Sequence, residues 1–77
     1  MLTKTLDNLK SDLAHNLRSI RIEKGFAQER LALEAGVDRT VVSKIERAVT
    51  NPSLEILLRL ANQLEVEVAD FLKSAED

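Results

Sequence analysis

Seventy-seven residues with a formal net charge of −2 make one domain, long enough to bury a single core without a metal or a crosslink. The absence of cysteine excludes disulfides, thiolate metal sites and cysteine nucleophiles, and suits a reducing cytosol. No apolar run approaches the roughly 20 residues that cross a bilayer, and the opening MLTKTLDNLK lacks the apolar block of a signal peptide, so the expectation is a soluble, cytoplasmic protein.

Leu2, Leu6, Leu9, Leu13, Leu17 and Ile20 recur at steps of three and four, which predicts a first helix from about residue 6 to 24, with a start as early as Thr3 still open. Lys24-Gly25 places a cation and a stop at its C-terminal end. Gln28 to Ala35 reads as a short second helix with Leu31, Ala32 and Ala35 inward. Gly36 then tolerates positive φ, and Asp38 is a good N-cap for a third helix read from Arg39 onward. The segment TNPS breaks the chain, because proline cannot continue a helix and extends the residue before it. Ser53 caps a fourth helix, Leu54 to about Leu64, with an apolar stripe of Leu57, Leu58, Ala61 and Leu64. A turn around Glu65-Val66-Glu67 leads to a last short helix holding Val68, Phe71 and Leu72. The expectation is an all-α, five-helix domain over residues 1–77, in which 1–10 extend the first helix and 73–77 form a flexible tail.

The stretch GVDRTVVSKIER, Gly36 to Arg47, divides cleanly when wound at about 100° per residue. Val37, Val41, Val42 and Ile45 gather on one side, which can be buried. Arg39, Thr40, Ser43, Lys44 and Arg47 fill the opposite arc, and that arc has no acid at its centre. Charge follows the same division: residues 18–47 carry a net +2 and residues 55–77 a net −4. The local field of an oriented face matters more for contact binding than the total. A cationic helix face is most often only solvated surface. Here, however, it lies on the second of two short helices joined by a tight turn containing glycine, which is the helix-turn-helix pattern that places a helix in the major groove of DNA.

FAQERLALEAGVDRTVVSKIERAVTNPSLEILLRLANQLEVEVADFL resembles the Cro/C1-type (XRE family) helix-turn-helix domain of lambdoid phage repressors and restriction-modification controller proteins. The likeness runs from about Leu13 to Leu72 and is most specific at Gln28, Ala32, Gly36, the IER of Ile45 to Arg47, and NPSLEILLRLANQL. It implies a lambda-repressor-like fold and roles for individual residues. Arg39, Thr40, Ser43 and Lys44 are the implied readers of base edges, Arg39 by bridging guanine O6 and N7, with a phosphate as the alternative partner of Ser43. Gln28 and Arg47 are the implied phosphate contacts, the alternative for Gln28 being a plain surface glutamine. Arg21 and Glu46 are implied to pair, tying the first helix to the third, the alternative being two independent surface charges. The chain departs from the family at Ala27, where a Ser or Thr cap is usual, and at Ala48 and Glu65, where glycine is common. A left-handed backbone at the last two costs on the order of 1 kcal/mol each relative to glycine.

Catalysis has little support, since His15 is the lone histidine and there is no second imidazole or thiol for a metal and no glycine-rich phosphate loop. No cofactor and no metal are expected. The expected partner is double-stranded DNA, bound by a homodimer, because one recognition helix reads too few base pairs for useful specificity. Val66, Val68, Phe71 and Leu72 are the expected dimer contact, with Leu2 and Leu6 as second choice. The alternative reading is an antitoxin-like or adaptor module that binds a protein partner through the Leu2, Leu6, Leu9 stripe.

Overall fold

The computed structural model describes residues 3–75, so the calls on Leu2 and on the last two residues of the tail lie outside the described residues. Within them the chain is all-helical: α1 (Leu6–Glu23), α2 (Gln28–Ala35), α3 (Val41–Glu46), α4 (Leu54–Leu64) and α5 (Val68–Leu72). Thr5 starts α1. Its hydroxyl accepts the Asn8 N–H at 3.0 Å, and its own N–H donates to Asn8 Oδ1 at 3.4 Å, a reciprocal cap in which asparagine replaces the usual Glu or Gln.

The core takes Leu13 and Leu17 from α1, Leu31, Ala32 and Ala35 from α2, Val42 and Ile45 from α3, Leu57, Leu60, Ala61 and Leu64 from α4, and Phe71 from α5. Helix α1 packs on α3 and α5, while α2 packs on α3 and α4. The short α3 is therefore held from two sides, with its polar arc facing out.

Four expectations need correction. Leu58 is 52% exposed and Leu60 fully buried: on the α4 wheel Leu58 lies about 100° from Leu57, whereas Leu60 lies within about 60° of it on the side of Leu64. Phe71 is also fully buried, filling the space between α1 and α5, so it belongs to the protein's own core and is closed to a second subunit. Helix α3 starts at Val41 with Thr40 as its N-cap, two residues later than expected. The Asp38 carboxylate is used two residues on, accepting the Thr40 N–H at 2.9 Å and the Thr40 hydroxyl at 2.7 Å. This is an Asx turn rather than a first-turn cap. Lastly, residues 73–75 lie on α1 instead of fraying: the Asn16 side-chain amide donates to the Phe71 and Lys73 carbonyls at 2.9 and 2.8 Å, and the Ala75 N–H donates to Asp12 Oδ1 at 3.1 Å.

Candidate nucleic-acid interface

The turn between α2 and α3 begins at Gly36, whose φ of 75° is costly for any residue with a Cβ. The Val37 N–H returns to the Ala32 carbonyl at 3.0 Å and the Gly36 N–H to Leu33 at 3.2 Å, so the last turn of α2 is satisfied as the chain reverses. Val42 and Ile45 anchor α3 in the core, and half-buried Val37 and Val41 seal its edge.

Beneath α3 lies a buried ionic cluster. Arg21 grips Glu46 with two hydrogen bonds, Nε to Oε2 at 2.6 Å and Nη2 to Oε1 at 3.0 Å, and its Nη1 donates to the Phe26 carbonyl at 2.8 Å. The two side chains are only 11% and 3% exposed. Gln28 joins them, its amide nitrogen donating to Glu46 Oε1 at 3.0 Å. Glu46 thus ties α1, the start of α2 and the end of α3 together, and among the described residues no buried side-chain polar atom lacks a partner. Such a bidentate guanidinium fixes orientation as well as distance.

On the outer side Arg39, Thr40, Lys44 and Arg47 are exposed, with half-buried Ser43 among them. Arg39 Nη2 lies 3.6 Å from Glu29 Oε2, both side chains being more than 70% exposed, a contact that water and salt weaken readily. Thr40 and Lys44 border a shallow depression of about 180 Å³ whose other walls are Asp38, Val41, Thr50, Pro52 and Ile56. The hydrogen bonds from Thr40 hold the Asp38 carboxyl below its ordinary range, with Lys44 and Arg39 adding to the effect, so Asp38 is an anion at neutral pH.

The six residues expected at the interface therefore fall into two groups. Arg39, Thr40, Ser43, Lys44 and Arg47 share one outer surface. Gln28 sits at its edge with one amide proton already given to Glu46. Sequence reasoning missed the Gln28–Glu46 link, which joins residues 18 positions apart across a turn. It missed the Asp38–Thr40 pairing too, although the Asp-x-Thr spacing is a known Asx-turn signal.

A family model described as helix-turn-helix, HTH_3, matches residues 17–71, from the middle of α1 to Phe71. The chain belongs to the XRE-type helix-turn-helix family. Its relatives within that family include a hypothetical transcription factor of Neisseria meningitidis, 40% identical over 84% of this chain and 61% of that one. The control protein C.BamHI of Bacillus amyloliquefaciens is 34% identical over 86% of this chain and 83% of its own length. The chain spans 36% of the Bacillus subtilis regulator SlrR, to which it is 44% identical over 70% of its length. Among solved structures, the helix-turn-helix fold superimposes on the hypothetical transcription factor NHTF from Neisseria with a TM-score of 0.84 at 35% identity, over 97% of this chain and 86% of that one. It superimposes on the restriction-modification controller protein C.AhdI from Aeromonas hydrophila with a TM-score of 0.77 at 37% identity, over 80% of this chain and 94% of that one.

Proposed function

We propose that this chain is a sequence-specific DNA-binding transcriptional regulator that works in the cytoplasm as a homodimer on a palindromic operator. The observation that carries the reading is the outer face of α3 and its two ends, with three exposed cations and two hydroxyls. Ser43 and Lys44 are on the helix, Arg39 and Thr40 lead into it and Arg47 closes it, while the opposite side is locked by Val42, Ile45 and the Arg21–Glu46 pair. A rigid cationic helix at a protein surface suits the major groove, where Arg39, Thr40, Ser43 and Lys44 read base edges and Arg47 takes a phosphate. Gln28 takes a second phosphate through the amide proton that Glu46 does not use, aided by the free N–H groups at the start of α2. The names of the relatives, transcriptional regulators and controller proteins of restriction systems, agree with this role.

With Phe71 in the core, the dimer contact moves to α4. Leu54 and Leu58 lie one turn apart, 77% and 52% exposed, and Val49, 60% exposed, lies in the connection from α3. A contact through this strip brings together two copies of the segment that leads out of α3, a geometry that suits half-sites about one helical turn apart. Val66, Val68 and Leu72 are half-buried against the core and offer less apolar surface to a second copy.

Gel shifts with fragments of the source genome test the reading, run beside an affinity pull-down. Retention of a discrete subset of fragments is the expected result. A protein partner recovered with no fragment retained supports the adaptor reading instead. Sedimentation of Leu58→Asp tests the contact: a folded monomer is expected at concentrations where the parent is dimeric.

A further inference from the structure

We infer that Asp38 sets the hydrogen-bonding polarity of Thr40, so that Thr40 meets DNA as an acceptor and selects a base bearing an amino group, adenine or cytosine. This rests on the DNA-reading role proposed above and adds the class of base edge that one residue takes.

A threonine hydroxyl has one proton to give and two lone pairs to offer. In solution it rotates to suit either kind of partner, which makes it a poor discriminator. Here the proton is committed: Thr40 Oγ1 lies 2.7 Å from Asp38 Oδ1, and the same oxygen accepts the Thr40 N–H at 2.9 Å. Two bonds from one residue to one oxygen fix both the backbone entering α3 and the direction of the hydroxyl. Asp38 is ionised at neutral pH and has no proton to return. What Thr40 Oγ1 presents to a partner is its lone pairs.

The consequence follows from the edges of the major groove. Adenine N6 and cytosine N4 are donors there, whereas guanine shows O6 and N7 and thymine shows O4, all acceptors. An acceptor-only Thr40 pairs with the first two and opposes the others. It also cannot bond a phosphate oxygen, which needs a donor, so it is reserved for bases. The neighbouring cations keep the usual polarity: Arg39 and Lys44 have donors only. The face therefore combines donors that suit guanine with one hydroxyl fixed as an acceptor, which does not, and Asp38 makes the difference without touching DNA.

Binding-site selection from randomised duplexes, followed by titration of a four-base panel at the position that Thr40→Val disturbs, tests this on the full chain and on Asp38→Ala, Asp38→Asn and Thr40→Val. The parent is expected to favour adenine or cytosine over guanine and thymine by about fivefold at one position in each half-site, the discrimination of one neutral hydrogen bond. Asp38→Asn keeps an acceptor at Oδ1 and keeps the preference. Asp38→Ala frees the proton and lets guanine or thymine in at that position, and Thr40→Val loses the preference. A melting curve for each variant shows that it is folded; where Asp38→Ala is not, Asp38→Gly, which removes the same acceptor, takes its place. A parental preference for guanine or thymine there overturns the inference, as does an unchanged preference in folded Asp38→Ala or a loss in Asp38→Asn equal to that in Thr40→Val. Should the parent enrich no sequence at all, the DNA-reading role itself fails and the inference with it.

Discussion

Glu46 accepts hydrogen bonds from three donor atoms on two other helices, with its side chain 3% exposed. A carboxylate so far from water survives only because every one of those donors is in place. Removing the partner leaves an unpaired buried charge, at a cost of about 3–5 kcal/mol for Arg21→Ala. The exposed Arg39–Glu29 contact is worth about 0–1 kcal/mol. Urea denaturation in two double-mutant cycles separates them: coupling above about 1 kcal/mol is expected for Arg21 with Glu46 and below about 0.5 kcal/mol for Arg39 with Glu29. Equal coupling in both contradicts the idea that burial sets the strength. The Arg21–Glu46 relation was legible only through the family resemblance, since nothing in the local spacing of either residue points at the other. The part played by Gln28 was not legible, because a glutamine at a helix start reads as surface until the turn folds it back on Glu46.

Helices α1, α2, α3 and α4 end in one backbone motif, in which the chain turns left-handed and two N–H groups reach back to the last carbonyls. Gly25 and Gly36 do this with positive φ at no steric cost, but Ala48 and Glu65 do it at φ of 59° and 60°. The Val49 N–H returns to Lys44 O at 3.1 Å, and the Val66 N–H to Ala61 O at 3.0 Å. Ala48→Gly and Glu65→Gly each relieve that strain, giving an expected gain of about 0.5–1 kcal/mol once the added freedom of the unfolded glycine is subtracted. At the other end of α2, Ala27 caps without a side-chain acceptor. Ala27→Ser supplies one and adds about 1 kcal/mol. Each change raises the melting midpoint by about 4–8 °C per kcal/mol, and a fall in either glycine variant contradicts the strain argument. All five elements were legible in the sequence, because each carries apolar residues between marked breaks. Faces were harder to read where an element is short: five residues in α5 hold too little period to tell a core position such as Phe71 from a surface one.

At the scale of the molecule, the C-terminal segment is clasped to α1 by Asn16 and Asp12, a contact across more than fifty residues that no local pattern announces. The Asp12 carboxyl is held below its ordinary value near 3.8, first by the hydrogen bond from the Lys4 ammonium and then by the Ala75 N–H. A folded value below the unfolded one means that the contribution is complete above the unfolded value and is lost as pH falls through the folded one. The Ala75 amide resonance is therefore expected to hold steady down to about pH 4 and to shift below it, and Asp12→Asn abolishes that shift. No residue of this contact belongs to α3 or to the turns flanking it. The task proposed for α3 was legible in the sequence as a polar arc on an amphipathic helix, and the Arg21–Glu46 support through the family resemblance, while the Gln28–Glu46 link and the Asp38–Thr40 pairing were not read, because both act through folded turns. Titration of Arg39→Ala and Arg47→Ala against operator and scrambled duplexes at several salt concentrations tests the central claim most directly. Arg39→Ala is expected to cost about 1–3 kcal/mol on the operator and little on scrambled DNA. Arg47→Ala is expected to weaken both alike and to flatten the slope of log K against log salt by about one unit per subunit. Equal losses on both duplexes for Arg39→Ala would contradict the account, and would make the α3 face a general electrostatic surface.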